Sequence, residues 1–243
     1  MLHVQASLRA LGPVPGGAAG VIDALLDVLG PEGTLVAYTA TPENSATSRI
    51  HQSATAGLSP AEVDDYLAGM PRFDPAATPA SPTMGRLSEA IRTYRGACRS
   101  RHPQTSWAAV GRRAQEITGS HPDECHLGFD SPLGRLYDLD ARVLMIGVPM
   151  DRFTAFHLAD LRMPDVAVRQ YRCVGEHGWT AFEAPDLDDL HFGALGEEVL
   201  QAARGITTAR IGGAECRLIP VRESVDLAER ILRRTRTRTG PRA

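Results

Sequence analysis

The stretch RFTAFHLAD, residues 152–160, spaces Thr154, His157 and Asp160 three residues apart, directly after the apolar run VLMIGVPM. Packing alone would be served there by leucines. Threonine is a good helix N-cap, and with Thr154 in that role His157 falls on the third helical position. The partial positive charge of a helix N-terminus disfavours imidazolium, so His157 is expected to be neutral near pH 7 and able to accept a proton. Asp160 would share its face and could orient the ring. The same string also reads as a capping-box variant in which the histidine merely packs beside its cap.

Three further segments carry groups that bind ligands. SLRALGPVPGGAAG, residues 7–20, is a Gly-rich loop running into a helix, where backbone N–H groups can cradle a phosphate. It matches neither dinucleotide-binding nor Walker spacing, and a plain tight turn is the structural alternative. RSRHPQTSW supplies Arg99, Ser100, Arg101 and His102, which could hold an anionic cofactor tail. The alternative is a polar turn, kept extended by Pro103. EAPDLDDLHF gathers Glu183, Asp186, Asp188 and Asp189, an acidic run that would attract a cationic ligand or simply be solvated. His126, near Asp130, could line a polar site, although a surface position is preferred; His3, His51, His121, His177 and His191 receive no functional role.

Composition narrows the class. A chain of 243 residues with 43% apolar residues can build one large α/β domain or two small ones. A net charge of −3 points away from nucleic acid as the main partner. The basic end, ERILRRTRTRTGPRA, reads as a solvated helix end with a frayed tail over about 233–243. Cys98, Cys125, Cys173 and Cys216 form no C-x-x-C and no zinc spacing, so reduced thiols in a cytoplasmic protein without a metal site are expected. No apolar run reaches the ~18 residues of a membrane helix and no signal peptide precedes the first strand, so neither a leader nor a membrane partner is expected.

These groups need a scaffold. LHVQAS reads as a strand, the Gly/Pro-rich loop follows, and AAGVIDALLDVLG places Val21, Ile22, Leu25, Leu26 and Leu29 on one helical face before Gly30 and Pro31 stop it. GTLVAYTA is the next strand, giving a β-loop-α-β unit with parallel strands. Residues of about 42–83 read as an irregular excursion with one helix, SPAEVDDYLAG. GRLSEAIRTY, RRAQEITGS, SPLGRLYDL, DDLHFGALGEEVLQAARG and SVDLAERILRR read as helices; TSWAAVG, ARVLMIGVP and ECRLIPV read as strands. VAVRQYRCV and WTAFEA around GEHG make a hairpin over about 166–184. The expected fold is an α/β class, three-layer α/β/α sandwich with a mixed, mostly parallel sheet, plus a small accessory lobe containing the antiparallel hairpin. A ligand cleft is expected where the two meet, at the strand ends.

Taken in order, SLRALG, PGGAAGVIDALLDVLGPEGTLV, FDPAATPASPTMGRLSEAIR, RSRHPQTSWAAVG, FDSPLGRLYDLDARVLMIGV, TAFHLAD and GGAECRLIPVRESVDLAE resemble the aminoglycoside 3-N-acetyltransferase family over nearly the whole chain. The resemblance implies a single domain over 1–243, acetyl-CoA as donor and a 2-deoxystreptamine antibiotic as acceptor, acylated on its 3-amino group; antibiotic resistance and a cytoplasmic monomer or homodimer go with it. The family's active-site T-x-x-H-x-x-E places His157 as general base beside Thr154, with Asp160 standing where the family has glutamate. Its H-S-S-[LF] reads QASL here, so only Ser7 and Leu8 match. The cofactor would lie along Ser7, Leu8, Arg9, Gly12 and Val14, with phosphates near Gly16 and Gly17, and be held again by Arg99, Ser100 and His102. The polycationic acceptor would meet Asp160, Asp186, Asp188 and Asp189, with His126 as a further lining residue. Transfer would be direct, in a ternary complex, with a backbone N–H on the thioester oxyanion. Two rival readings are a same-fold N-acetyltransferase for another amine and a non-catalytic CoA- or aminoglycoside-binding protein.

Overall fold

The computed structural model describes residues 1–239. Nine strands occur among them: β1 (Leu2–Ala6), β2 (Thr34–Tyr38), β3 (Cys98–Arg99), β4 (Trp107–Gly111), β5 (Arg142–Ile146), β6 (Val168–Gly175), β7 (Gly178–Pro185), β8 (Thr207–Ile211) and β9 (Ala214–Pro220). The helices are α1 (Leu8–Leu11), α2 (Gly17–Leu29), α3 (Arg49–Thr55), α4 (Pro60–Gly69), α5 (Gly85–Arg92), α6 (Ala114–Thr118), α7 (Pro132–Asp138), α8 (Phe156–Asp160), α9 (Phe192–Ala202) and α10 (Val221–Thr239). Seven strands form one mixed sheet in the order β3-β4-β2-β1-β5-β9-β8. β1 runs parallel to both β2 and β5, as the opening β-loop-α-β unit requires.

The sheet is parallel only at this centre, and the remaining pairings, β2–β4, β3–β4, β5–β9 and β8–β9, are antiparallel. "Mostly parallel" is therefore corrected. The reason is the connections: the chain reaches β9 from β8 by a two-residue turn and β4 from β3 by a short loop, and such links can only join antiparallel strands. β8 itself was not anticipated, because every residue of TTARI is exposed at the sheet edge and leaves no apolar alternation to read.

Side-chain alternation sorts the core into two layers. Leu35 and Ala37 of β2 and Ala108 and Val110 of β4 face Ile22 of α2 and Leu87 and Ile91 of α5. Val36, Trp107, Ala109, Val143 and Met145 face the opposite way, onto α6 to α10, through Leu133, Phe156, Phe192, Val199 and Val225. This is the expected three-layer sandwich. The excursion and the hairpin form the accessory lobe: β6 and β7 make a separate two-stranded sheet, an antiparallel bridge joins Ser45 to Cys173, Ala46 N–H donates to Arg172 O, and Trp179 Nε1 donates to Leu67 O. The excursion holds two α-helices rather than one. Ser59 and Glu62 form a full capping box on α4, as its sequence suggests, while α3 is started by Ser48, whose Oγ accepts from His51 N–H. At the C-terminus, α10 carries the basic segment as helix to Thr239, and residues 240–243 of the anticipated tail lie outside the described residues.

Candidate active site

A cleft of about 1420 Å³ opens at the carboxyl ends of β1, β2 and β5, where β1 lies between its two parallel neighbours. Open α/β sheets bind ligands at this switch point. Each central strand contributes its last residues: Gln5, Ala6 and Ser7 from β1, Tyr38 from β2, and Val148 and Pro149 just beyond β5. Accessory-lobe Ile50 and the segment 82–86 close the other side.

The Gly-rich loop lines one end. Ser7, Leu8, Arg9, Gly12, Val14 and Gly17 all border the cleft. Gly16 does not; it makes the left-handed turn (φ 72°) that caps α2. Arg9 on α1 and Arg86 at the start of α5 both border the cleft, are exposed, and have no ion-pair partner among the described residues; α1 packs on α5. Two unpaired guanidinium groups flank the loop whose backbone could receive phosphate.

Arg99, Ser100 and His102 are placed elsewhere. Arg99 donates to the carbonyls of Thr39 and Thr78 and stacks over Phe73. The Ser100 hydroxyl, fully buried, accepts from Trp107 N–H and meets His121 Nδ1 at 3.0 Å. His102 Nδ1 accepts from the N–H groups of Gln104 and Thr105. All three tie β3, β4 and the following turn together, and none borders the cleft. His126 is likewise buried rather than on the surface, its ring against His102, Tyr171 and Phe182.

His157 borders the cleft and is 9% exposed. Its ring lies 4.7 Å from that of Phe192, and its Nδ1 is sealed in the interior with no hydrogen-bond partner among the described residues. Burial pushes its pKa down to about 4, outweighing Asp160 and Asp189, which raise it. A neutral imidazole was expected; the cause is desolvation. Thr154 is not the N-cap: that position is Ala155, so His157 is the second residue of α8. Gln5 Nε2 instead donates to Thr154 Oγ1 at 2.9 Å and to Arg152 O, tying β1 to the turn before α8. Gln5 lines the cleft where the resembled family has histidine.

The carboxylates differ from expectation too. Asp160 faces His191, not His157: its Oδ1 accepts from His191 Nε2 at 2.9 Å. Asp188 lies 3.7 Å from His191 Nδ1, Asp186 accepts from Arg169, and Asp189, the one aspartate of the four that borders the cleft, is 3.9 Å from Arg49. Sequence reasoning missed His191, Arg86 and Gln5. Arg86 sits in the MGRLSEAIR helix start, where a basic residue next to glycine was a readable signal; His191 had none beyond its acidic neighbours.

The arrangement is a neutral imidazole at the cleft, between a cationic, Gly-lined end and the aspartate-bearing segment, suited to taking a proton from an amine beside an anionic donor. No group of histidine, cysteine and carboxylate side chains among the described residues could hold a metal ion, and no helix among them is long and apolar enough to cross a membrane.

Comparison with known proteins gives the same direction. The sequence profile of the aminoglycoside 3-N-acetyltransferase family matches residues 3–233. The chain is 34% identical over 232 residues to the SPbeta prophage-derived aminoglycoside N(3')-acetyltransferase-like protein YokD of Bacillus subtilis (strain 168), spanning 93% of this chain and 84% of that one. It is 32% identical to aminoglycoside N(3)-acetyltransferase III of Pseudomonas aeruginosa, over 92% and 82% of the two chains. Among solved structures, YokD superposes with a TM-score of 0.90 at 31% identity, covering 98% of this chain and 88% of that chain. AAC-VIa bound to sisomicin superposes with a TM-score of 0.82 at 28% identity (97% and 91% covered), and AAC-IIIb with CoASH with 0.79 at 26% (100% and 91%).

Proposed function

Because the chain belongs to the aminoglycoside 3-N-acetyltransferase family, we propose that its cleft moves the acetyl group of acetyl-CoA to the 3-amino group of the 2-deoxystreptamine ring of an aminoglycoside, with His157 as general base. The observation that carries the reading is a buried, uncharged histidine lining a cleft that has Arg9 and Arg86 at its Gly-rich end and Asp189 beside the histidine's ring partner Phe192. The phosphates of acetyl-CoA meet Arg9, Arg86 and the backbone of Gly17, and its pantetheine arm follows Ser7 and Leu8 toward His157. The polycationic acceptor lies against Asp189 and the carboxylates behind it. Its attacking amine must be free of its extra proton, because only the lone pair can reach the thioester carbon. As the C–N bond forms, His157 Nε2 accepts the proton; the C–S bond then breaks and the thiolate of CoA leaves with that proton. A backbone N–H near the first loop stabilises the developing oxyanion. No serine or cysteine among the described residues hydrogen-bonds His157, so transfer is direct within a ternary complex. One domain does this work, in the cytoplasm where acetyl-CoA is made and free thiols persist.

The test is thiol release from acetyl-CoA across gentamicin-, kanamycin- and apramycin-type acceptors. His157→Ala should keep its fold and its affinity for CoA while kcat falls by ~10²–10⁴-fold. A variant that turns over at the original rate would make His157 a packing residue.

A further inference from the structure

The four aspartates that a cationic acceptor would use are already faced by cations of the protein: His191 between Asp160 and Asp188, Arg169 on Asp186 and Arg49 near Asp189. Four carboxylates are thus met by two permanent cations and one titratable group. The arginines cannot lose their charge. His191 can, and it occupies the innermost carboxylate, Asp160, which is only 16% exposed and lies one helical turn after His157. We propose that His191 is a specificity-determining residue: as an imidazolium it occupies the Asp160–Asp188 pair, and it gives up its proton and that position when an ammonium group of the acceptor takes them.

The surroundings of His191 support an exchange of one cation for another. Nε2 donates to Asp160 and Nδ1 lies 3.7 Å from Asp188, so the ring has a carboxylate on each side, and the hydrogen bond to Asp160 above all holds its pKa above the ordinary histidine value. On its own segment, Asp189 and Phe192 border the cleft, so the His191–Asp160 pair lies directly behind the cleft's acidic edge. From α8, Asp160 and the neutral His157 face this cluster. The turn Met150–Arg152, packed on α9, brings Asp151 and Arg152, which lie 3.6 Å apart as a pair. From α10, apolar Val221, Val225, Ala228 and Ile231 join the core that α9 enters, while Asp226 and Glu229 are held by Arg162. Asp160, and after it Asp188, are the carboxylates that sustain the imidazolium. Binding of a cation and protonation of His191 oppose each other, and by linkage the effect is reciprocal.

This inference rests on the acetyl-transfer reading, and its test separates the two. The KM for sisomicin is measured from pH 6 to pH 8.5 for the unmodified protein and for His191→Gln, which keeps a side-chain donor without a charge. The acceptor's own titration is common to both and cancels in the comparison. Acidification should raise KM more steeply in the unmodified protein, by up to about tenfold per pH unit where occupancy is exclusive, while kcat ratios change little. Without any acceptor, imidazole NMR should find His191 titrating above an ordinary histidine, and Asp160→Asn should bring it down. Superimposable KM profiles, or a His191 indifferent to Asp160→Asn, overturn the proposal even with normal turnover. A coupled His191–Asp160 pair with no thiol release on any aminoglycoside instead overturns the acetyl-transfer reading, and the proposal with it.

Discussion

At the scale of single residues, the site is decided by which effect wins at each ionisable group. His157 has carboxylates nearby, yet burial dominates and the ring stays neutral. His191, half-buried, is governed by its carboxylate neighbours and goes the other way. Two histidines on adjoining segments are thereby set to opposite tasks, a pattern common to sites that handle protons. Arg86 presents the simplest case, an exposed guanidinium at the cleft with no ion-pair partner among the described residues to give up. Arg86→Ala should raise KM for acetyl-CoA by roughly tenfold, the worth of a charge-assisted hydrogen bond, and leave kcat in place. Acetyl-pantetheine, which lacks the phosphates, should be used equally by both proteins. An equal loss for both donors would place Arg86 on the pantetheine arm instead. His157 was legible because its neighbours in sequence are also its neighbours in the helix. The partners of Thr154 and Asp160 were not, because Gln5 and His191 lie 149 and 31 residues away and only the fold brings them in.

At the scale of elements, the cleft depends on how the chain leaves β1. Ser7 N–H donates to Ile146 O, extending the β1–β5 pairing by one residue before α1 turns away over the sheet end. The loop then needs a left-handed residue at Gly16 to start α2 facing the cleft, and a Cβ there would lie 3.2 Å from Gly20 Cα. Both the backbone region and the close helix approach favour glycine. Gly16→Ala should lower stability by about 1–2 kcal/mol from the left-handed conformation, read from urea unfolding, and should raise KM for acetyl-CoA with little change in kcat. Unchanged KM alongside lost stability would mean that the loop positions no part of the donor. The PGG signal made this turn readable in advance. The second helix of the excursion was harder to read, since Arg49–Thr55 mixes polar residues with Ile50 and shows no apolar stripe. It is held by a serine cap and by His51 Nδ1 meeting Glu43 O at 3.1 Å.

At the scale of the whole molecule, one property follows from where the histidines went. The chain's order of elements was readable because strands alternate and helices repeat locally; the destination of a histidine depends on long-range packing and was not. His3, His102, His121, His126 and His157 are all buried, and the His102 ring packs at a tilt against both His121 and His126 beside the hairpin rings Tyr171 and Phe182. Burial lowers the pKa of His3 and His121 to about 4 and of His126 to about 3, and drives His102 well below 6.5. Unfolded, each would bind a proton near 6.5. Between these values the unfolded chain holds more protons than the folded one, so stability rises with pH across that window. It is fully present above about pH 6.5 and is lost as pH falls toward 4, by up to ~1.4 kcal/mol per pH unit for each histidine. The three clustered rings lie where the accessory lobe meets the sandwich, so acid should loosen the hairpin against the sheet first. His126 is the place to test this, because its Nε2 is buried without a hydrogen-bond partner among the described residues, so a leucine there takes no bond from that nitrogen. Urea unfolding of the unmodified protein at pH 7, 6 and 5 should show a steep fall in stability, and His126→Leu should flatten it by up to about 1.4 kcal/mol per pH unit. Parallel curves for the two proteins would show that this ring takes up no proton on unfolding, and the acid sensitivity would then belong to the other four.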